Sequence, residues 1–276
     1  MDPGGEFAAF YGSTKNRCLR AVIAGGVTPN TVVAQGVRIV AVATPTVPVS
    51  RQPTPDGLQR SVDLDRGRLT VLYLDRTTTD LVHTSDVYLG VTGAEPPVSG
   101  TGQAVDVQVH AGELTRSDAR STLTWERRPG QWVTLKGSER YNTPAALLGL
   151  ASTVADTPVE LTTRVTVAPE GWVATSCKEI GSGGAALTVS DPSDAARALV
   201  VVLSPEPAGP VDVGRLEDPG AVSTVGVQGR SATLVQGARG WYLKASLAGG
   251  WFVLMAPSDL TAEQVVQVAD SVGVSP

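Results

Sequence analysis

Histidine is nearly missing from this chain: among 276 residues only His83 and His110 occur. Neither sits in an HExxH or comparable ligand spacing, so an imidazole-rich metal centre is disfavoured. His83 has Ser85 and Asp86 beside it, but neighbours this close on a strand point to alternating faces and do not converge as a triad. Cysteine is equally scarce. Cys18 and Cys177 lie far apart and outside any CxxC cluster, which reads as two free thiols, or as one disulfide if the protein is exported. Long apolar runs are lacking too. The longest, ALVVVL at 198–203 and WFVLMA at 251–256, are strand-sized and fall well short of the roughly 18 apolar residues of a membrane span. A net positive field is also absent: 22 basic residues face 27 acidic ones, a formal charge of -5, so no nucleic-acid partner is expected.

Catalytic patterns are equally thin. The segment GSGGAALT at 181–188 lacks the Lys-Ser/Thr pair of a phosphate-binding loop and alternates afterwards like a strand. Asp63, Asp65, Glu206, Glu217 and Asp218 have arginines nearby and read as solvated turns or ion pairs. A carboxylate-dependent hydrolase is therefore only a third reading. No catalytic, cofactor-binding or metal-binding residue is assigned. The start carries Lys15, Arg17 and Arg20 before a short apolar stretch, with acidic residues ahead of them, and does not read as a signal peptide. Residues 1–30 are read as an N-terminal extension, whose opening MDPGGEF has the look of translated cloning sites.

What the chain does have is internal similarity. A shift of the second half onto the first places Thr143 on Thr261, Leu147 on Val265, Leu148 on Val266, Leu150 on Val268, Ala151 on Ala269 and Val154 on Val272. These spacings of three and four trace one face of a helix in each half. Pro144 follows Thr143 as a favoured first helical residue, and Thr261 with Gln264 forms a capping box. With a one-residue gap, Trp132-Val133-Thr134-Leu135 matches Trp251-Phe252-Val253-Leu254, each following a glycine turn that closes a hairpin. Upstream, VQVHAG at 107–112 is set against VGVQG at 225–229, which puts His110 on Gln228. More loosely, RLTVLYLD from Arg68 is set against RALVVVLS from Arg197, and IVAVAT from Ile39 against VTVAPEG from Val165.

The expected fold is α+β, a tandem duplication in which each unit is an antiparallel sheet with a C-terminal helix packed on one face. The units span 31–156 and 157–276, with the boundary at 155–158. Hydrophobic residues at 42% suffice for such cores, and 30 glycines and 19 prolines fit many short strands joined by tight turns. The tryptophans Trp125, Trp132, Trp172, Trp241 and Trp251 flank the hairpins and turns. They read either as a cover for the sheet or as contacts for an apolar ligand or partner.

Through VQVHAG, STLTWERRPGQWVTLKG and TPAALLGLASTV, and again VGVQGR and GGWFVLMAPSDLTAEQVVQVADSV, the chain resembles small extracytoplasmic modules of actinobacteria. Some of these are attached to anti-sigma factors or membrane anchors, and they are loosely similar to the lipoprotein-carrier and sigma-regulator group. Arginine's excess over lysine, which occurs only at Lys15, Lys136, Lys178 and Lys244, fits such a GC-rich source. The resemblance implies a non-catalytic binding or sensing module outside the cytoplasm, secreted or tethered, without cofactors. Its partner would be a protein or a small apolar ligand, and it would meet a membrane only through an anchor. The alternative is a structural or assembly protein that interacts through both halves.

Overall fold

A computed structural model describes residues 37–43, 46–47, 50–51, 58–65, 68–75, 85–97, 102–155, 159–161, 163–180, 184–205 and 219–274. Its centre is a single antiparallel sheet of 14 strands. In chain order the first seven are β1 (Leu58–Asp65), β2 (Arg68–Asp75), β3 (Ser85–Thr92), β4 (Gln103–Val107), β5 (His110–Arg116), β6 (Ser121–Arg128) and β7 (Gln131–Gly137). Helix α1 (Pro144–Ala151) follows. The remaining strands are β8 (Val173–Ile180), β9 (Gly184–Asp191), β10 (Asp194–Ser204), β11 (Pro219–Val227), β12 (Arg230–Gly237), β13 (Gly240–Leu247) and β14 (Gly250–Ala256), before helix α2 (Ala262–Asp270).

Across the sheet the order is β11-β12-β13-β14-β10-β9-β8-β1-β2-β3-β7-β6-β5-β4. Each half thus places its four later strands on the outside and its three earlier strands on the inside. The halves meet where β8 pairs with β1, Cys177 opposite Leu64 and Glu179 opposite Val62. This corrects the expected α+β tandem duplication: the protein is predominantly β, with one continuous sheet and helices of only eight and nine residues. The physical reason lies in the inner strands. In two separate units β1 and β8 would each be an open edge, whereas pairing them satisfies both rows of backbone groups.

Side chains alternate across the sheet, and the registers fix which face each one takes. Val62, Val71, Leu89, Leu135 and Leu123 share one face in the first half. Leu187, Val201, Leu254, Leu243 and Leu234 share it in the second. Both helices close over this face with Leu147, Leu150 and Ala151 of α1 and Val265, Val268 and Ala269 of α2, which belong to one buried cluster with the strand residues. Thr143 caps α1 by accepting from Ala146 N at 3.2 Å, and Thr261 and Gln264 form the reciprocal capping box of α2.

Short strand pairs bind the connecting segments to this helical side. Ile39–Ala41 pairs with Val167–Pro169, Thr46–Val47 with Val159–Glu160, Ser50–Arg51 with Val154–Ala155, and Thr163–Val165 with Val272–Val274. The chain between the halves is therefore held by backbone pairing on either side of residues 156–158, which lie outside the described residues.

Three alignments drawn from sequence are corrected. RLTVLYLD forms β2, whose place in the second half is taken by β9, whereas RALVVVLS falls in β10. IVAVAT and VTVAPEG contribute strands that pair with one another. Gln108, not His110, stands where Gln228 stands: both open their hairpin turn with positive φ, 58° and 50°.

Candidate functional site

The registers divide the tryptophans between the two faces. Trp125 lies opposite Val133 on the helical face and is fully buried, its Nε1 without an acceptor. Trp241, on the same face, donates from Nε1 to Leu260 O at 2.7 Å, tying β13 to the loop before α2. Trp172 follows the turn at Gly171, whose φ is 84°, and belongs to the same core. The Arg197 guanidinium lies 5.4 Å from its ring centroid. Trp132 and Trp251 project from the opposite, helix-free face, where both are half-buried.

On this helix-free face the two halves differ. In the second half, neighbouring residues on successive strands form a row from the outer edge inward: Val222, Val235, Tyr242, Met255 and Val200. With about 4.8 Å between strands, the row is roughly 19 Å long. The adjacent row is Thr224, Thr233, Lys244, Val253 and Val202. Val200, Val202, Val235 and Val253 are buried yet stand outside the core cluster beneath the helices. The first-half residues on the strands matching β12, β13, β14 and β10, namely Thr115, Thr122, Lys136 and Tyr88, are largely polar.

Charge on this face is one-sided in the second half. Lys136, Lys178 and Lys244, the three lysines among the described residues, all point to it. Lys244 Nζ sits 4.6 Å from the Trp251 ring centroid, and Lys136 Nζ is 5.2 Å from that of Tyr88. Partial burial lowers the Lys244 pKa from its ordinary value. The Nε1 of Trp251 is buried without an acceptor. The two second-half rows contain no carboxylate.

The sequence signal for this surface was a run that is apolar at both parities. WFVLMA and ALVVVL lack the in-out alternation of a sheet with one wet face, so both of their faces meet apolar surroundings.

Several described polar groups sit in structural pairs. At the junction of the halves Arg60 reaches Glu179 at 3.3 Å on the helical face, and Lys178 reaches Asp63 at 3.5 Å on the other. Ser61 Oγ donates to Glu179 O at 2.7 Å. Cys177 is a free, buried thiol; burial first, then the charges of Glu179 and Asp63, push its pKa up to about 12. Asp65 lies at the end of β1, and Arg197 bridges Asp191 at 2.7 Å and Asp259 at 2.5 Å. Cys18, His83, Glu206, Glu217 and Asp218 lie outside the described residues. No group of three or more potential metal ligands occurs among the described residues, and no described helix is long and apolar enough to cross a membrane.

No protein-family model matches the chain, and no curated protein matches it. Among solved structures, the MucA/MucB complex of Pseudomonas aeruginosa aligns over 79% of this chain and 93% of its own, at 14% identity and a TM-score of 0.25. A crystal structure of MucB in complex with MucA(peri) aligns over the same shares at 13% identity and a TM-score of 0.25. Scores this low do not establish a shared fold.

Proposed function

We propose that this protein is a non-catalytic binding module working outside the cytoplasm, and that it takes an acidic, apolar segment of a protein partner on the helix-free face of its second half. The observation that carries the reading is the row Val222-Val235-Tyr242-Met255-Val200 beside Lys244 and Trp251, which offers the exposed Val222 and the half-buried Tyr242 and Met255 around the buried Val235 and Val200. An apolar strip of roughly 19 Å matches an extended segment of about six residues at 3.3 Å each. A carboxylate on that segment finds the partly desolvated Lys244 beside the Trp251 ring. The extracytoplasmic placement rests on the sequence resemblance and is tested by fractionating cells that express the native gene.

The binding test is selection of extended peptides from a random library on the full chain, followed by fluorescence anisotropy. Selected peptides combine apolar and acidic residues. Trp251→Ala and Lys244→Glu each weaken them at least tenfold, while Lys136→Glu leaves them unchanged. Peptides indifferent to both second-half substitutions overturn the reading.

A further inference from the structure

The two outer edges of the sheet are not alike. β4 presents five residues, QAVDV, with the charge of Asp106. β11 presents nine, PGAVSTVGV, with none. Charged residues and short length are what normally keep a sheet edge from pairing with another chain. β11 has neither, and Pro219 through Thr224 are exposed, Val222 by 54%.

The hairpin turn fixes which groups face outward. Gln228 and Gly229 have φ of 50° and 72°, the left-handed pair of a two-residue turn, so Val227 and Arg230 form the closing hydrogen-bonded pair. The register then runs unbroken from Val227 back to Val222. Hydrogen-bonded pairs alternate along an antiparallel ladder. The N–H and C=O groups of Val222, Thr224 and Gly226 therefore point away from β12, toward an edge that no described strand covers.

We propose that β11 is a self-association edge, pairing antiparallel with β11 of a second copy about a two-fold axis at Thr224. This register sets Thr224 against its own counterpart and Val222 against Gly226 of the other chain. Each copy offers what the other lacks: nothing stands within 4 Å of where a Cβ on Gly226 would be, leaving room for the exposed Val222 side chain. The pairing also continues what already joins the halves, since β1 and β8 occupy matching places in their halves and meet as antiparallel edges. The chain carries a formal charge of -5, and an uncharged edge is where two such chains approach with the least repulsion.

The test is sedimentation equilibrium of the full chain over a concentration series. The expected result is a monomer–dimer equilibrium that Thr224→Pro and Val222→Lys each weaken at least tenfold. Proline at 224 removes only an outward N–H, so the β11–β12 ladder and the circular dichroism spectrum stay intact. If proline prevents folding, Val222→Lys probes the same edge without touching the backbone. Asp106→Ala, on the opposite edge, leaves the dimer unchanged. A wild-type chain that stays monomeric overturns the proposal, even if it binds strands of other proteins. So does a dimer that survives both β11 substitutions.

Discussion

Gln108 and Gln228 hold the ends of two different helices in the same way. Gln108 Nε2 donates toward Ser152 O and Val154 O, each at 3.2 Å, and Gln228 Nε2 donates to Asp270 O at 3.2 Å and Val272 O at 2.6 Å. In each half a hairpin turn of the sheet supplies the partner for carbonyls that a helix leaves unpaired at its C-terminus. Replacing either glutamine by glycine keeps the positive φ accessible and deletes only the side-chain bonds. A loss of about 1–2 kcal/mol per site is expected from urea unfolding, and the two losses should add, because the sites lie in different halves. A loss within error at both sites would show that water replaces the amide.

Arg197 ties the β9–β10 turn to the loop before α2 through Asp191 and Asp259 while stacking on Trp172. Hydrogen bonds from Ser193 first, then Arg197, lower the Asp191 pKa, and the Arg197 side of the bridge is open to solvent. Arg197→Ala should therefore cost only about 1 kcal/mol. The cost should shrink in high salt as the ion pairs are screened and keep a residue from the lost contact with Trp172. Thermal melts of both proteins at low and high salt check this.

Cys177 gives a pH dependence with a definite sign. Its folded-state pKa of about 12 lies above the ordinary 9.0, so the folded state favours the neutral thiol. The contribution to stability is whole below pH 9 and is lost as pH rises toward 12, by at most about 4 kcal/mol. The stability of wild type relative to Cys177→Ala should fall between pH 8.5 and 10.5, as followed by urea unfolding. The native thiol should also resist alkylation at pH 8, read at its own peptide by mass spectrometry.

Because β1 and β8 form one ladder, the halves should unfold together. Val62→Ala, at a fully buried site opposite Glu179, should cost about 2 kcal/mol. It should shift tryptophan fluorescence and far-UV circular dichroism by the same amount, with coincident transitions. Separate transitions for the two signals would mean that the junction does not couple the halves.

Local features were legible in the sequence and long-range ones were not. The helix faces from Leu147 and Val265, the caps at Thr143 and Thr261, and the hairpins before them follow from spacing and turn chemistry, which neighbours in the chain determine. The joining of β1 to β8 could not be read, because a strand's partner across more than a hundred residues leaves no local pattern. The same limit misplaced His110 on Gln228: the first half has one extra residue in β6, where the β6–β7 register shifts beside Trp132, and a second between β7 and the Thr143 cap, and a slip of two residues leaves the apolar alternation consistent. The second-half surface did leave a trace, in the runs WFVLMA and ALVVVL, whose loss of alternation marks strands with apolar surroundings on both faces.

The binding account is tested most directly by differential acetylation of Lys136, Lys178 and Lys244, which share one face of the sheet and report on it along its width. With a selected acidic peptide bound, Lys244 should lose most of its reactivity while Lys136 keeps its own. Unchanged reactivity at Lys244 in a saturated complex would contradict the assignment of binding to the helix-free face of the second half.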